Sequence, residues 1–168
     1  MNAHTPETAV WTCFNVSIED QVAHIQMKRP EAMNTMNKAF WSELPAIVRD
    51  INDNARARCI VISSTGKHFS AGADLKGALG LVQAGKIDAF EAMIANFQAT
   101  SQRIKYSLVP VVAAVRGLAL GGGCEFQMHS ARTVAHLESY IGLVEAGVGL
   151  LPAGGGLKEI AVHASQAA

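Results

Sequence analysis

The stretch Gly117-Leu118-Ala119-Leu120-Gly121-Gly122-Gly123-Cys124-Glu125 follows the apolar run Val111 to Val115 and leads into Cys124, Glu125, Phe126 and Met128. An apolar run of that length reads as a buried strand, and the residues after the glycines read as a helix that starts at once. Glycine lets another group approach the backbone closely. The first-turn N–H groups of a helix have no internal partner and carry positive partial charge, so they suit a phosphate or a developing oxyanion. The structural alternative is a tight strand–helix turn in which Glu125 only helps the helix begin. A second turn of this kind is Phe69-Ser70-Ala71-Gly72-Ala73-Asp74-Leu75-Lys76, after the buried run Cys59 to Ile62. Alone it reads as a turn with Asp74 near a helix start. Together, two such turns can aim one N–H each at the same carbonyl oxygen and form an oxyanion hole.

Outward from these turns the chain alternates strand and helix signals. Phe14 to Ile18 and Val22 to Met27 read as two short strands with a turn at Glu19-Asp20. Asn34 or Asn37 is placed to cap a helix reaching about Asn54, with Phe40, Leu44, Ile47, Val48 and Ile51 at helical spacing and Pro45 as a kink. Ile87 to Tyr106 reads as a long helix with Phe90, Met93, Ile94, Phe97 and Ile104 on one stripe. Thr133 to Ala135 reads as a short strand and Gly142 to Leu151 as a loop or short helix. Gly154-Gly155-Gly156 leads to a last helix through Ala168. This alternation predicts an α/β fold. Residues 1–10 read as a flexible arm and 11–168 as the core domain.

The 168 residues are 49% apolar and 17% charged, with 14 Lys plus Arg balanced by 14 Asp plus Glu. That excludes a charged disordered tail protein. It gives no basic excess, so no nucleic-acid partner is expected. Cys13, Cys59 and Cys124 are odd in number, with neither metal-ligand spacing nor a disulfide framework, which predicts a reducing, cytoplasmic setting. The N-terminus has no signal-peptide core, and charges, prolines and glycines interrupt the runs Leu108 to Cys124 and Ile141 to Leu157, so no membrane span is expected.

Two carboxylates complete the candidate site. Glu125 lies just inside the helix after Gly123, and Glu145 lies 20 residues on, within Ile141-Gly142-Leu143-Val144-Glu145-Ala146-Gly147-Val148. An acid among apolar neighbours is either loop-exposed or a group with a raised pKa suited to proton transfer. The six histidines do not cluster, so no metal is expected. Ser63, Ser64 and Ser70 lack a hydrolase nucleophile context, and Gly154 to Gly156 lacks the Lys-Ser/Thr of a P-loop.

Four segments resemble the crotonase (enoyl-CoA hydratase/isomerase) superfamily: Lys28-Arg29-Pro30-Glu31-Ala32-Met33-Asn34, Phe69 to Lys76, Ala119 to Glu125, and Tyr140 to Gly156. Their order and spacing match along almost the whole chain, and the Gly-Gly-Gly-Cys-Glu string with a second Glu 20 residues later is specific to hydratase-type members. The resemblance implies a crotonase-like spiral of ββα units. It implies an acyl-CoA thioester as substrate, its carbonyl held by the N–H groups of Ala73 and Gly122. It implies that Glu125 and Glu145 are the two catalytic acids, one activating water and the other handling the proton at C2. Met33 and the stretch Ala71, Ala73, Asp74, Leu75 and Lys76, with Gly122, would line the CoA path. Lys28, Arg29 and Lys76 are candidates to face the CoA phosphates, or are solvated surface. No cofactor is implied, since coenzyme A belongs to the substrate, and a homo-oligomer (a trimer or a pair of trimers) is.

The chain departs from the family in length, being about a third short. The part that normally supplies C-terminal helices is expected to be missing. Up to about Ala73 it resembles free-standing hydratase/isomerases, including dienoyl-CoA isomerases. From about Lys76 it resembles the crotonase-type part of bifunctional hydroxyacyl-CoA proteins. The expected activity is hydration of a trans-2-enoyl-CoA in fatty-acid β-oxidation. The alternatives are a double-bond isomerase on the same scaffold and an inactive, truncated CoA-binding fragment.

Overall fold

A computed structural model describes residues 10–167; the residues read as an N-terminal arm lie almost wholly outside them. Among the described residues seven strands and five α-helices alternate, two strands more than the five expected. β1 (Phe14–Glu19) and β2 (Val22–Met27) form an antiparallel hairpin. β3 (Cys59–Ser64), β4 (Val111–Val115) and β6 (Arg132–Ala135) then add in parallel, giving one sheet in the order β1-β2-β3-β4-β6. β5 (Leu118–Leu120) and β7 (Tyr140–Gly142) pair in parallel as a second, two-stranded sheet. The architecture is the spiral of strands and helices expected of a crotonase-like fold.

α1 (Lys38–Asp53) is capped by Asn37, whose side chain accepts from the Phe40 N–H at 3.0 Å. The other candidate cap, Asn34, does a different job. It is buried at φ +51°, its Oδ1 accepts from the Arg29 N–H at 2.9 Å, and its Nδ2 donates to the carbonyls of Thr65 and His68. Asn tolerates the left-handed region better than other side chains and can satisfy backbone groups locally, which suits it to this place. Phe40, Trp41, Leu44, Ile47, Val48 and Ile51 are buried on one face of α1, and the helix runs through Pro45.

α2 (Leu75–Gln83) buries none of its residues, whereas α3 (Ile87–Lys105) buries Phe97, Thr100, Ser101 and Ile104. Only the C-terminal half of the expected α3 stripe reaches the core; Phe90, Met93 and Ile94 are half-buried. α4 begins at Gly122, two residues earlier than expected, and runs to His129. α5 spans Gly156–Ala167. The aromatic rings of the core gather beneath the start of α4. Phe40 stacks on Phe126 with centroids 5.6 Å apart, Trp41 meets Phe97 at 4.6 Å, and Phe97 meets Phe126 edge-on at 5.7 Å. Rigid rings at these separations pack favourably and leave little room for movement above them.

Candidate active site

The two glycine turns meet. Ser70 and Ala119 form a parallel bridge in which the Ser70 N–H donates to the Leu118 carbonyl at 3.0 Å and the Leu120 N–H to the Ser70 carbonyl at 2.9 Å. The Ser70 hydroxyl is fully buried, donates to the Asn34 carbonyl at 2.8 Å and accepts from the Gly72 N–H at 3.1 Å. Gly72 has φ +88°, and a β-carbon there would lie 2.7 Å from the Leu120 carbonyl oxygen and 3.1 Å from the Gly122 nitrogen. Only glycine fits, because any side chain would be wedged between two backbones at a disfavoured φ.

That contact sets Ala73 beside Gly122. Met36 takes the groups on either side of Ala73, donating its N–H to the Gly72 carbonyl and accepting from the Asp74 N–H. In a parallel bridge this turns the N–H of Ala73 away from Met36. The N–H groups of Ala73 and Gly122 have no hydrogen-bond partner among the described residues. They are two adjacent donors free to take a ligand's oxygen.

Both carboxylates lie against this turn. Glu125 is fully buried in the first turn of α4. Its Oε1 accepts from the Gly156 N–H at the start of α5, at 2.9 Å, and its Oε2 is buried without a partner. Burial pushes its carboxyl above the usual range, opposed by the Gly156 N–H, reinforced by the charge of Glu145, and opposed again by the Gly154 N–H, which lies near the carboxyl without completing a hydrogen bond to Oε2. Glu145 opens a short 3-10 turn, Glu145–Val148. Its Oε1 is 3.0 Å from where a Gly121 β-carbon would be, and its Oε2 is also buried and unpartnered. A buried polar atom without a partner costs free energy, so such atoms concentrate where a ligand completes them. Proton donors and acceptors placed beside two free N–H groups can move protons at a carbonyl compound while its oxygen is held.

A groove of about 770 Å³ opens at Met36 and Asp74, next to the Ala73 turn, and runs between α1, α2 and α3 past Trp41, Leu81 and Met93. Neither carboxylate lines it. Met33 is half exposed and its carbonyl accepts from the Ala71 N–H. Leu75 and Lys76 are exposed at the start of α2, and the Asp74 side chain caps that helix by accepting from the Gly77 N–H at 3.4 Å. Arg29 is occupied locally, donating to the Thr35 carbonyl at 2.9 Å. Among the described residues no group of three or more His, Cys, Asp or Glu is arranged to hold a metal ion, and no helix is long and apolar enough to cross a membrane.

Sequence reasoning missed the roles of Asn34 and Ser70, whose side chains anchor the Phe69–Lys76 turn, and missed the Gly156 N–H that fixes Glu125. The position of Gly156 directly after two glycines and ahead of the last helix was the available signal.

The chain belongs to the enoyl-CoA hydratase/isomerase family, whose pattern matches residues 17–166. It is 36% identical over 116 residues to the mitochondrial Delta(3,5)-Delta(2,4)-dienoyl-CoA isomerase of Mus musculus, covering 65% of this chain and 36% of that protein. It is 32% identical over 142 residues to a Bacillus subtilis protein named as an enoyl-CoA hydratase/isomerase, YngF, covering 84% of this chain and 53% of that one. Among solved structures, the enoyl-CoA hydratase from Bacillus anthracis superposes with a TM-score of 0.80 at 29% identity, over 88% of this chain and 57% of that one. The chain thus spans about half the length of these relatives or less.

Proposed function

We propose that this chain carries the catalytic centre of an enoyl-CoA hydratase, adding water across the double bond of a trans-2-enoyl-CoA, as in fatty-acid β-oxidation. The observation that carries the reading is the pair of buried, unpartnered oxygens, Glu125 Oε2 and Glu145 Oε2, beside the free N–H groups of Ala73 and Gly122. The thioester oxygen takes those two N–H groups. One carboxylate removes a proton from water as its oxygen attacks C3. The C2–C3 electron pair moves onto the thioester, and the enolate oxygen is stabilised by the N–H pair. The other carboxyl group then gives a proton to C2. The sequence needs two proton transfers and one oxyanion, and no metal or redox step.

The acyl chain is placed in the groove beyond Met36, and Met33, Ala71, Asp74, Leu75 and Lys76 border the entry of coenzyme A. Exposed Leu137, Leu151 and Tyr140 support a homo-oligomer, since large apolar side chains left exposed can be covered by a partner. Three free cysteines support a reducing, cytoplasmic compartment.

A second reading, double-bond isomerisation, draws on the dienoyl-CoA isomerase among the relatives. It uses the same carboxylates and oxyanion donors without an attacking water. The test is hydration of crotonyl-CoA by the parent chain, Glu125→Gln and Glu145→Gln. Each amide is near-isosteric and cannot exchange a proton, so each variant should lose about 10²–10⁴ in turnover while still binding the ligand. Near-normal turnover in either variant rejects that residue's role. Crotonyl-CoA binding without turnover by the parent assigns a binding fragment instead.

A further inference from the structure

Outside the reacting groups lies a buried charged cluster for which the reaction as written has no use. Glu159, in the first turn of α5, is 1% exposed, and both of its oxygens accept from Lys105 Nζ on α3, at 2.8 and 2.7 Å. Lys158 Nζ lies 3.1 Å from its Oε1. His129 at the end of α4 is 2% exposed; its Nε2 faces the same oxygen at 3.6 Å. Its Nδ1 is 2.7 Å from the backbone carbonyl of Glu125. A carbonyl only accepts, so Nδ1 carries the hydrogen. The cluster therefore ties the ends of α3 and α4 to the start of α5.

The start of α5 is what holds Glu125. The Gly156 N–H donates to Glu125 Oε1, three residues before Glu159. The glycine string leading into it permits this seating. A β-carbon on Gly154 would strike the Phe97 ring and lie 2.5 Å from Glu125 Oε2, and one on Gly155 would lie 3.0 Å from His129 Nε2. We propose that Lys105, Glu159 and His129 are positioning residues that clamp the N-terminus of α5 against Glu125, so that Oε1 is fixed by the Gly156 N–H and Oε2 is left as the oxygen that exchanges protons. The proposal rests on the reading of Glu125 as an acid/base group, and its test uses no substrate, so the two can fail separately.

The experiment follows the Glu125 carboxyl by NMR in the full chain carrying isotope-labelled glutamate, the signal being assigned by its loss in Glu125→Gln. Amide exchange at Gly156 and at Ile60 in the central strand β3 is read on the same samples. In Glu159→Gln the clamp loses its charge and Gly156 drifts from Oε1. A bond that favours the carboxylate is then lost, so the Glu125 midpoint should rise, by about one pH unit. Simple removal of the Glu159 charge would move that midpoint down, so the sign separates positioning from field. The Gly156 amide should exchange about tenfold faster while Ile60 is unchanged, as expected when one local bond opens. Lys105→Arg keeps the ion pair and should leave both readings as in the parent. If Glu159→Gln does not fold, Glu159→Asp, which keeps the charge and shortens the reach, must give the same upward shift. A folded variant with an unmoved or lowered midpoint overturns the proposal. So does equal acceleration at Gly156 and Ile60, or failure of both Glu159 variants to fold, since each assigns the cluster to general stability.

Discussion

Ser70→Ala tests whether the Phe69–Lys76 turn is held in place by a single hydroxyl. The Ser70 side chain is fully buried and makes two hydrogen bonds, to the Asn34 carbonyl and from the Gly72 N–H. Alanine removes one oxygen from a site closed to water and leaves both backbone groups unpaired. Each of the two buried groups left unsatisfied costs about 1–3 kcal/mol, and the small cavity adds little, so a loss of about 2–6 kcal/mol is expected. For a chain of this size that is a fall of roughly 4–24 °C in melting temperature. The Gly72 N–H adjoins the Ala73 donor, so the turn that aims the oxyanion hole also loosens. Losing one such donor costs about 10²–10³ in turnover, and a partly misplaced one should cost somewhat less. Urea and thermal melts give the first number and crotonyl-CoA hydration the second. A variant within about 0.5 kcal/mol of the parent, the scatter of ordinary surface substitutions, would show that the hydroxyl does not hold the turn.

Gly72→Ala forces a β-carbon between the Leu120 carbonyl and the Gly122 nitrogen at a disfavoured φ; turnover should fall far more than the melting temperature, and equal activity in a kinetic assay would count against the paired donors. Burial holds the folded Glu125 carboxyl above its ordinary value of 4.5. Folding therefore takes up a proton there, and this contribution, complete below that value, is lost as pH rises through the raised folded pKa. Relative to the parent, Glu125→Gln should thus gain stability across that window in urea melts taken at successive pH values; a gain confined to acid pH would contradict the assignment. Asn37→Ala removes the α1 cap and should cost about 1 kcal/mol by denaturant melt.

The local chemistry of this protein was legible, and its long-range contacts were not. Apolar runs such as Cys59 to Ile62 and Val111 to Val115 became parallel strands, although in each only one face is fully buried and the other is half-buried, not both faces as the unbroken runs suggested. The glycine turns could be located, and their meeting was expected from chemistry. What joins them is a contact between Ser70 and Ala119, 49 residues apart in a pattern no local period records. The choice between Asn34 and Asn37 as cap was also open, because both precede the same amphipathic run. Tertiary partners decided it, with Thr65 and His68 claiming the Asn34 amide. The β5–β7 sheet escaped notice because three-residue strands carry too little alternation. Met93 fits the α3 stripe yet lines the groove, and Phe90 is only half-buried, since a helix stripe says which residues share a face and not what covers it. Glu159 and His129 looked like ordinary helix residues, their burial depending on Lys105 from a third helix.

The most direct test of the account is hydration of crotonyl-CoA by the parent chain in heavy-oxygen water, read by mass spectrometry of the CoA ester. Water attacking C3 must leave one heavy oxygen in a 3-hydroxyacyl-CoA product, and Glu125→Gln and Glu145→Gln must each suppress its formation by about 10²–10⁴-fold. Turnover of an enoyl-CoA to a shifted double bond with no heavy oxygen incorporated, or incorporation that persists undiminished in either variant, would contradict it.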